Sequence, residues 1–190
     1  LSSTSIIIFA SGSGSNAENI VRYFKQRNDV NVCAIFCNNP KAGVIERAEL
    51  LCIPIELFSR DEWQQEDIML ERLKKYAPNL IVLAGFLWLV PTYLLKAYPQ
   101  IVNIHPALLP KFGGKGMYGH HVHKAVLAAR EKQHGITVHY VNENYDEGKH
   151  ILQQAFDVTE NDNLESISQK ISALEMEYFP KAIEQIIAAS

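Results

Sequence analysis

Apolar residues fall into short runs broken by polar and glycine-bearing stretches. Ile6–Ala10 is a β-branched run that ends in Ser11-Gly12-Ser13-Gly14-Ser15-Asn16, the pattern of a buried strand entering a glycine-rich turn. Beyond the turn, Ala17, Ile20, Val21 and Phe24 recur at helical spacing. Val30–Phe36 then reads as a strand, Gly43–Leu51 as a helix and Ile53–Leu57 as a third strand. Ser59 with Glu62 three residues on is a capping box, which predicts a helix running to about Tyr76. Leu80–Ala84 is a fourth strand, Tyr93–Ala97 a short helix and Ile101–Ile104 a fifth strand. Strands alternating with helices predict an α/β fold: a mostly parallel open sheet with helices on both faces. The later chain differs. Ile136–Val141 and His150–Val158 read as an antiparallel pair joined by the polar loop 142–148. Asp162-Asn163-Leu164-Glu165 caps a long C-terminal helix with Ile167, Ile171, Leu174, Tyr178 and Ile186 on one face.

Composition narrows the class. At 190 residues, 47% hydrophobic and 21% charged, the chain is globular and long enough to bury a full core. Lys+Arg 18 against Asp+Glu 21 leaves a net charge of −3, which gives no global footprint for nucleic acid or an anionic membrane. The longest apolar run, Leu80–Val90, is too short to span a bilayer. Leu1-Ser2-Ser3-Thr4 lacks the basic region of a signal peptide, and Cys33, Cys37 and Cys52 match no metal or disulfide spacing. There are no repeats or low-complexity linkers. The expectation is one soluble, cytoplasmic domain.

Four places carry candidate chemistry. The Gly12–Asn16 turn opens a helix, where backbone N–H groups and the helix dipole suit a phosphate; a tight turn with nothing bound is the alternative. Gly12-x-Gly14-x-x-Ala17 also satisfies a relaxed dinucleotide fingerprint, but the second strand exits into Cys37-Asn38-Asn39-Pro40 without the carboxylate that would hold a ribose. A monophosphate ester fits better. Asn103 and His105 share one face of a strand at its C-terminal end, a pair able to polarise a carbonyl and move a proton; a structural histidine bonded to a loop carbonyl is the alternative. Asp146, in the 142–148 loop, is either a solvated turn-former or a partner for His105. His120, His121 and His123 invite a metal reading, yet no thiolate or carboxylate partner is suitably spaced; imidazoles capping loop carbonyls at a helix entry fit better.

These motifs occur in an order that resembles a known family. Gly12-Ser13-Gly14-Ser15-Asn16, Leu83-Ala84-Gly85-Phe86, Asn103-Ile104-His105-Pro106-Ala107-Leu108-Leu109-Pro110, His134-Gly135-Ile136-Thr137-Val138-His139 and Asp146-x-Gly148 are similar to those of the folate-dependent formyltransferases, specifically the phosphoribosylglycinamide formyltransferase (GAR transformylase) branch of purine biosynthesis. The resemblance covers essentially the whole chain. It implies a Rossmann-like formyltransferase fold over 1–190 as a single catalytic domain, with 1–100 the phosphate-substrate half and 101–190 the catalytic and folate half. It implies formyl transfer from 10-formyltetrahydrofolate, a co-substrate, to the amine of 5'-phosphoribosylglycinamide (GAR). No metal, nucleic acid or membrane is implied, and the protein is expected as a monomer or homodimer. The length matches the catalytic domain alone, without the extra domains of the tRNA-formylating or folate-hydrolysing relatives.

By the same resemblance Asn103, His105 and Asp146 are the catalytic trio, and Gly14, Ser15 and Asn16 hold the phosphate. Glu175 faces the ribose. Arg60, Leu87, Trp88, Leu89, Val90, Asn103, Asn142, Glu143, Asn144, Tyr145 and Asp146 form the folate site, much of it through backbone groups. Trp88 stands where the family often has a basic residue, Ser172 where Gln is common, and Lys149 where a second Gly and Pro are frequent. The glycine-rich stretch 112–119 reads as a mobile flap over the substrate. In the implied mechanism Asn103 donates to the oxyanion, a protonated His105 assists and supplies the leaving nitrogen's proton, and Asp146 keeps that imidazole charged. His139 either supports the site or packs. A non-catalytic phosphate-ligand sensor on the same fold, and a dinucleotide enzyme, are the rival readings.

Overall fold

The β-branched run after Ser3 forms β1 (Thr4–Ala10), in which Ile6, Ile7, Ile8, Phe9 and Ala10 are all fully buried. A strand apolar on both faces belongs inside a parallel sheet, where each face is covered. That is its position in the computed structural model, which describes residues 3–189. The reading of Leu1 and Ser2 lies outside the described residues. By its contacts the chain divides into two units, Leu1–Val102 and Asn103–Ser190.

In the first unit β2 (Val30–Cys37), β3 (Ile55–Leu57) and β4 (Leu80–Leu83) join β1 in the order β3-β2-β1-β4, with every pairing parallel. Pro54 has no N–H to add to a ladder, so β3 starts at Ile55 rather than Ile53. Helix α1 (Ser15–Phe24) buries Ala17, Ile20, Val21 and Phe24, the four positions picked out by spacing. Helix α2 (Val44–Leu50) buries Val44 and Ala48.

The helix expected from Ser59 to about Tyr76 is instead two, α3 (Arg60–Trp63) and α4 (Glu66–Lys74). The capping box is present as predicted, with Ser59 Oγ accepting from Glu62 N–H and the Glu62 carboxylate accepting from Ser59 N–H. The break follows from Trp63. Its fully buried indole donates to the Leu89 carbonyl at 3.1 Å, and its own carbonyl accepts from the Tyr93 hydroxyl at 2.9 Å. Tyr93 thus takes up an acceptor that a continuous helix would use internally, and Gln65 is left in an extended conformation. Helix α5 (Thr92–Ala97) closes this unit.

Strand β5 (Ile101–His105) begins in the first unit and ends in the second. The second unit orders its strands β5-β6-β7, where β6 (Gln133–Tyr140) and β7 (His150–Asp157) are the expected antiparallel pair, with a register shift between Val138 and His139. Helix α6 (His120–Ala128) and helix α7 (Leu164–Ala188) pack on each other, and α7 also covers β6 and β7. Asn163 caps α7 as predicted, its side chain accepting from the Glu165 and Ser166 N–H groups. The buried face differs in the helix's second half: Leu174 and Tyr178 are half-buried, while Phe179, Ala182 and Ile183 are fully buried around Pro180. A strictly regular spacing misses the rotation of a long helix's apolar stripe at a proline.

Candidate active site

In the first unit the loop Ser11–Gly14 leads into α1, with Gly14 at its N-cap (φ 79°). A Cβ on Gly14 would lie 2.5 Å from Val44 Cγ2, so both conformation and space demand glycine. Three successive carbonyls of the loop are held from the segment that leads into and forms α2: Ser11 O accepts from Asn39 Nδ2 (3.3 Å), Gly12 O from Val44 N–H (3.1 Å) and Ser13 O from Arg47 Nε (2.8 Å). In a trans peptide C=O and N–H point oppositely, so the amides of Gly12, Ser13 and Gly14 turn the other way. Ser15 and Asn16 follow in the first helical turn, whose N–H groups have no intrahelical acceptor. A row of backbone N–H groups at a helix N-terminus is geometry that suits an anion.

In the second unit, Asn103 and His105 project from the same face of β5. Asp146 reaches them from the loop after β6, in a left-handed conformation (φ 59°). Its Oδ2 lies 3.4 Å from His105 Nδ1, and its Oδ1 lies 3.6 Å from Nε2 of His139 on β6. Gly114 N–H donates to Oδ2 at 2.9 Å. At Gly113 a Cβ would meet Leu109 Cδ2 at 2.7 Å and Asp146 Cβ at 3.1 Å, so a glycine lets this segment lie against Asp146. Asn103 Nδ2 is 3.2 Å from His139 Nε2. The three residues expected to act together are together, with His139 as a fourth member that contacts two of them.

Proton positions follow from the acceptors. His139 Nδ1 is 2.8 Å from the Tyr140 carbonyl, so Nδ1 carries the proton and Nε2 accepts from Asn103. An amide has two N–H donors; His139 takes one and thereby fixes where the other points. His105 Nε2 lies 2.8 Å from the Phe112 carbonyl and must donate to it. Both His105 nitrogens therefore face oxygens, which suits the charged ring. Burial nevertheless lowers the His105 pKa and outweighs the opposing charge of Asp146. The expectation that Asp146 keeps His105 charged is thereby corrected: a ring this buried prefers to be neutral. Burial pushes the Asp146 carboxyl up, but its polar surroundings, the Gly114 N–H among them, hold it below the usual carboxylate range, so it is ionised. The site holds a carboxylate and a neutral imidazole, a unit ready to take up one proton.

Residues 4–183 match the formyl transferase family. Phosphoribosylglycinamide formyltransferase of Bacillus subtilis (strain 168) is 41% identical over 186 residues, which are 95% of this chain and 93% of the relative. The chain belongs to the formyl transferase family. The chloroplastic phosphoribosylglycinamide formyltransferase of Arabidopsis thaliana is 38% identical over 87% of this chain, which covers 59% of that longer protein. Among solved structures, phosphoribosylglycinamide formyltransferase from Bacillus halodurans has a TM-score of 0.87 at 34% identity, covering 97% of this chain and 95% of its own. The Coxiella burnetii enzyme of the same name, in complex with CHES, has a TM-score of 0.88 at 30% identity, covering 98% and 88%.

Leu87–Val90 follow β4, and two of their backbone groups are engaged within the protein. Leu87 N–H donates to Ser11 Oγ (3.2 Å), and Leu89 O accepts from the Trp63 indole. Val90 is buried, whereas Leu87 and Leu89 expose their side chains. Trp88 packs edge-on to Phe58 and Phe86, and the Arg60 guanidinium stacks on its ring 4.6 Å from the centroid. These two predicted folate residues are therefore neighbours. In the second unit Asn142 Oδ1 accepts from Asn144 N–H (3.0 Å) and the Asn144 amide donates to Glu147 (2.7 Å), which shapes the loop; Glu143 is exposed and Tyr145 half-buried. Glu175 is half-buried on α7 and Ser172 exposed.

Sequence reasoning missed several supports of the formyl transferase segment Asn103–Pro110. Thr137, fully buried, donates to Ala107 O (2.7 Å) and accepts from Leu109 N–H (3.1 Å), while Gln153 donates to Leu109 O (3.0 Å). The Leu109–Pro110 peptide is cis. The stretch read as a flap is tied at Phe112 O to His105 and at Gly114 N–H to Asp146. His123 does not cap a carbonyl, as expected at a helix entry, but lies with Nδ1 3.1 Å from Nε2 of buried His134. Among the described residues no group of three or more His, Cys, Asp or Glu side chains is placed to hold a metal ion.

Proposed function

We propose that the protein transfers the formyl group of 10-formyltetrahydrofolate to the amine of GAR, giving formyl-GAR and tetrahydrofolate, in the cytoplasm and as a monomer or homodimer. The carrying observation is the Asn103–His105–Asp146 cluster with its fixed proton positions, in a chain 41% identical to a phosphoribosylglycinamide formyltransferase over 95% of its length. The substrate amine attacks the formyl carbon, a C–N bond forms, and the carbonyl oxygen gains negative charge. Asn103's second N–H donates to that oxygen; one such preorganised donor lowers a barrier by about 2.7–4 kcal/mol. The His105–Asp146 pair accepts the proton the amine loses. Once protonated, His105 has an oxygen acceptor at each nitrogen, so the pair stores the proton until N10 takes it and the C–N10 bond breaks.

In this reading Gly14, Ser15 and Asn16 bind the substrate phosphate and Glu175 the ribose. Arg60, Leu87, Trp88, Leu89 and Val90 contact the folate, as do Asn142–Asp146. The test is to mix protein, GAR and 10-formyltetrahydrofolate and follow tetrahydrofolate release by absorbance. Turnover supports the enzyme; binding of GAR without turnover refutes it in favour of a phosphate-ligand sensor.

A further inference from the structure

Three successive carbonyls of the phosphate loop are held from the segment that leads into and forms α2, and they are not held equally. The Gly12 carbonyl is held by a main-chain N–H, that of Val44. The Ser13 carbonyl is held by a side chain, Arg47 Nε, at 2.8 Å. Ser13 C=O and Gly14 N–H belong to one peptide unit, so whatever fixes the first aims the second. Rotation of that unit changes φ of Gly14, and glycine accepts either sign, so local sterics do not prevent the peptide from turning over. A turned peptide would present a carbonyl oxygen where an anion is to sit.

Arg47 is itself held. Its Nη1 pairs with Glu18 in the first turn of α1, and the other Glu18 oxygen accepts from Arg22 Nε at 2.8 Å. This carboxylate, shared with Arg22, fixes the orientation of the guanidinium, so two of the Arg47 nitrogens are committed to protein oxygens. The arrangement suits a device for aiming a dipole better than one for attracting an anion. We propose that Arg47 is a positioning residue that holds the Ser13–Gly14 peptide so that Gly14 N–H points at the phosphate monoester of the substrate. The proposal rests on the reading of Gly14–Asn16 as the phosphate site.

The test compares two amines, GAR and its unphosphorylated riboside, with wild-type protein, Arg47→Ala and Arg47→Met, the last keeping most of the aliphatic stem. Losing one aligned donor to a charged group should raise KM for GAR about tenfold and leave kcat and the KM for 10-formyltetrahydrofolate within about twofold. The preference for GAR over the riboside, as a ratio of kcat/KM values, should fall by the same factor. Equal losses on both amines, or a fall in kcat with KM unchanged, would mean that Arg47 merely supports the fold and would overturn the proposal. If wild-type protein does not turn over GAR, the formyl-transfer reading fails, and ribose 5-phosphate binding by calorimetry decides about Arg47 separately. Wild-type binding that weakens about tenfold in both variants supports the proposal. Unchanged binding, or none by wild-type protein, overturns it.

Discussion

Asp146→Asn isolates charge from shape. Asn tolerates the left-handed backbone of this position (φ 59°) better than most residues, and its Oδ1 can still accept from Gly114 N–H, now at 2.9 Å from Asp146 Oδ2. What disappears is a negative charge 3.4 Å from His105 Nδ1 and 3.6 Å from His139 Nε2. At an effective dielectric of about 20, unit charges at that separation interact by about 5 kcal/mol, an upper bound on what a protonated His105 gains from Asp146. The carboxylate is nearly buried, so solvent screening removes a minor part. A loss of about 3–5 kcal/mol in the step that stores the proton lowers kcat by about 10²–10⁴. The assay is steady-state tetrahydrofolate release at saturating GAR and folate, with thermal unfolding as the control for the fold. With the carboxylate gone, burial acts on His105 unopposed, so the limb of the pH–rate profile that reports His105 moves to lower pH. A folded variant with kcat within about fivefold of wild type would refute the proton-storing role of Asp146.

Burial pushes the pKa of His134 from 6.5 down to about 4, so its neutral form contributes stability that is complete above pH 6.5 and is lost as the pH falls toward about 4. The loss is about 3 kcal/mol over that window, and His134→Gln, measured by urea unfolding at pH 7 and pH 4.5, should remove most of it. Gly14→Ala forces a Cβ to within 2.5 Å of Val44 and strains a positive φ. Ribose 5-phosphate binding should then weaken at least about tenfold by calorimetry, and unchanged affinity would count against the proposed phosphate site. Thr137→Val leaves the Ala107 carbonyl and Leu109 N–H without their buried partner and should cost about 1–3 kcal/mol in unfolding free energy.

Much of the fold was legible because its signals are local. The buried run Ile6–Ala10, the face Ala17-Ile20-Val21-Phe24 and the caps at Ser59 and Asn163 each depend on residues within a turn or two of one another. The break after Trp63 was not legible, since it depends on Tyr93, thirty residues away in sequence. The apolar stripe of α7 was followed correctly at Ile167 and Ile171 and lost around Pro180, where spacing no longer reports the buried side.

The sequence by itself brought out the residues proposed to carry the chemistry: Asn103 and His105 two apart on one strand face, Asp146 in a polar loop, and glycines before a helix. Motif order and spacing are properties of the chain, and they suffice to carry the family resemblance on which that proposal draws. Tertiary structure decided the state in which those residues work. It buried His105 enough that desolvation outweighs the Asp146 charge, placed His139 to orient the Asn103 amide, and brought Arg47 to the Ser13 carbonyl. Proton affinity and dipole direction depend on solvent exclusion and on neighbours distant along the chain, and these are set only when the strands and helices pack.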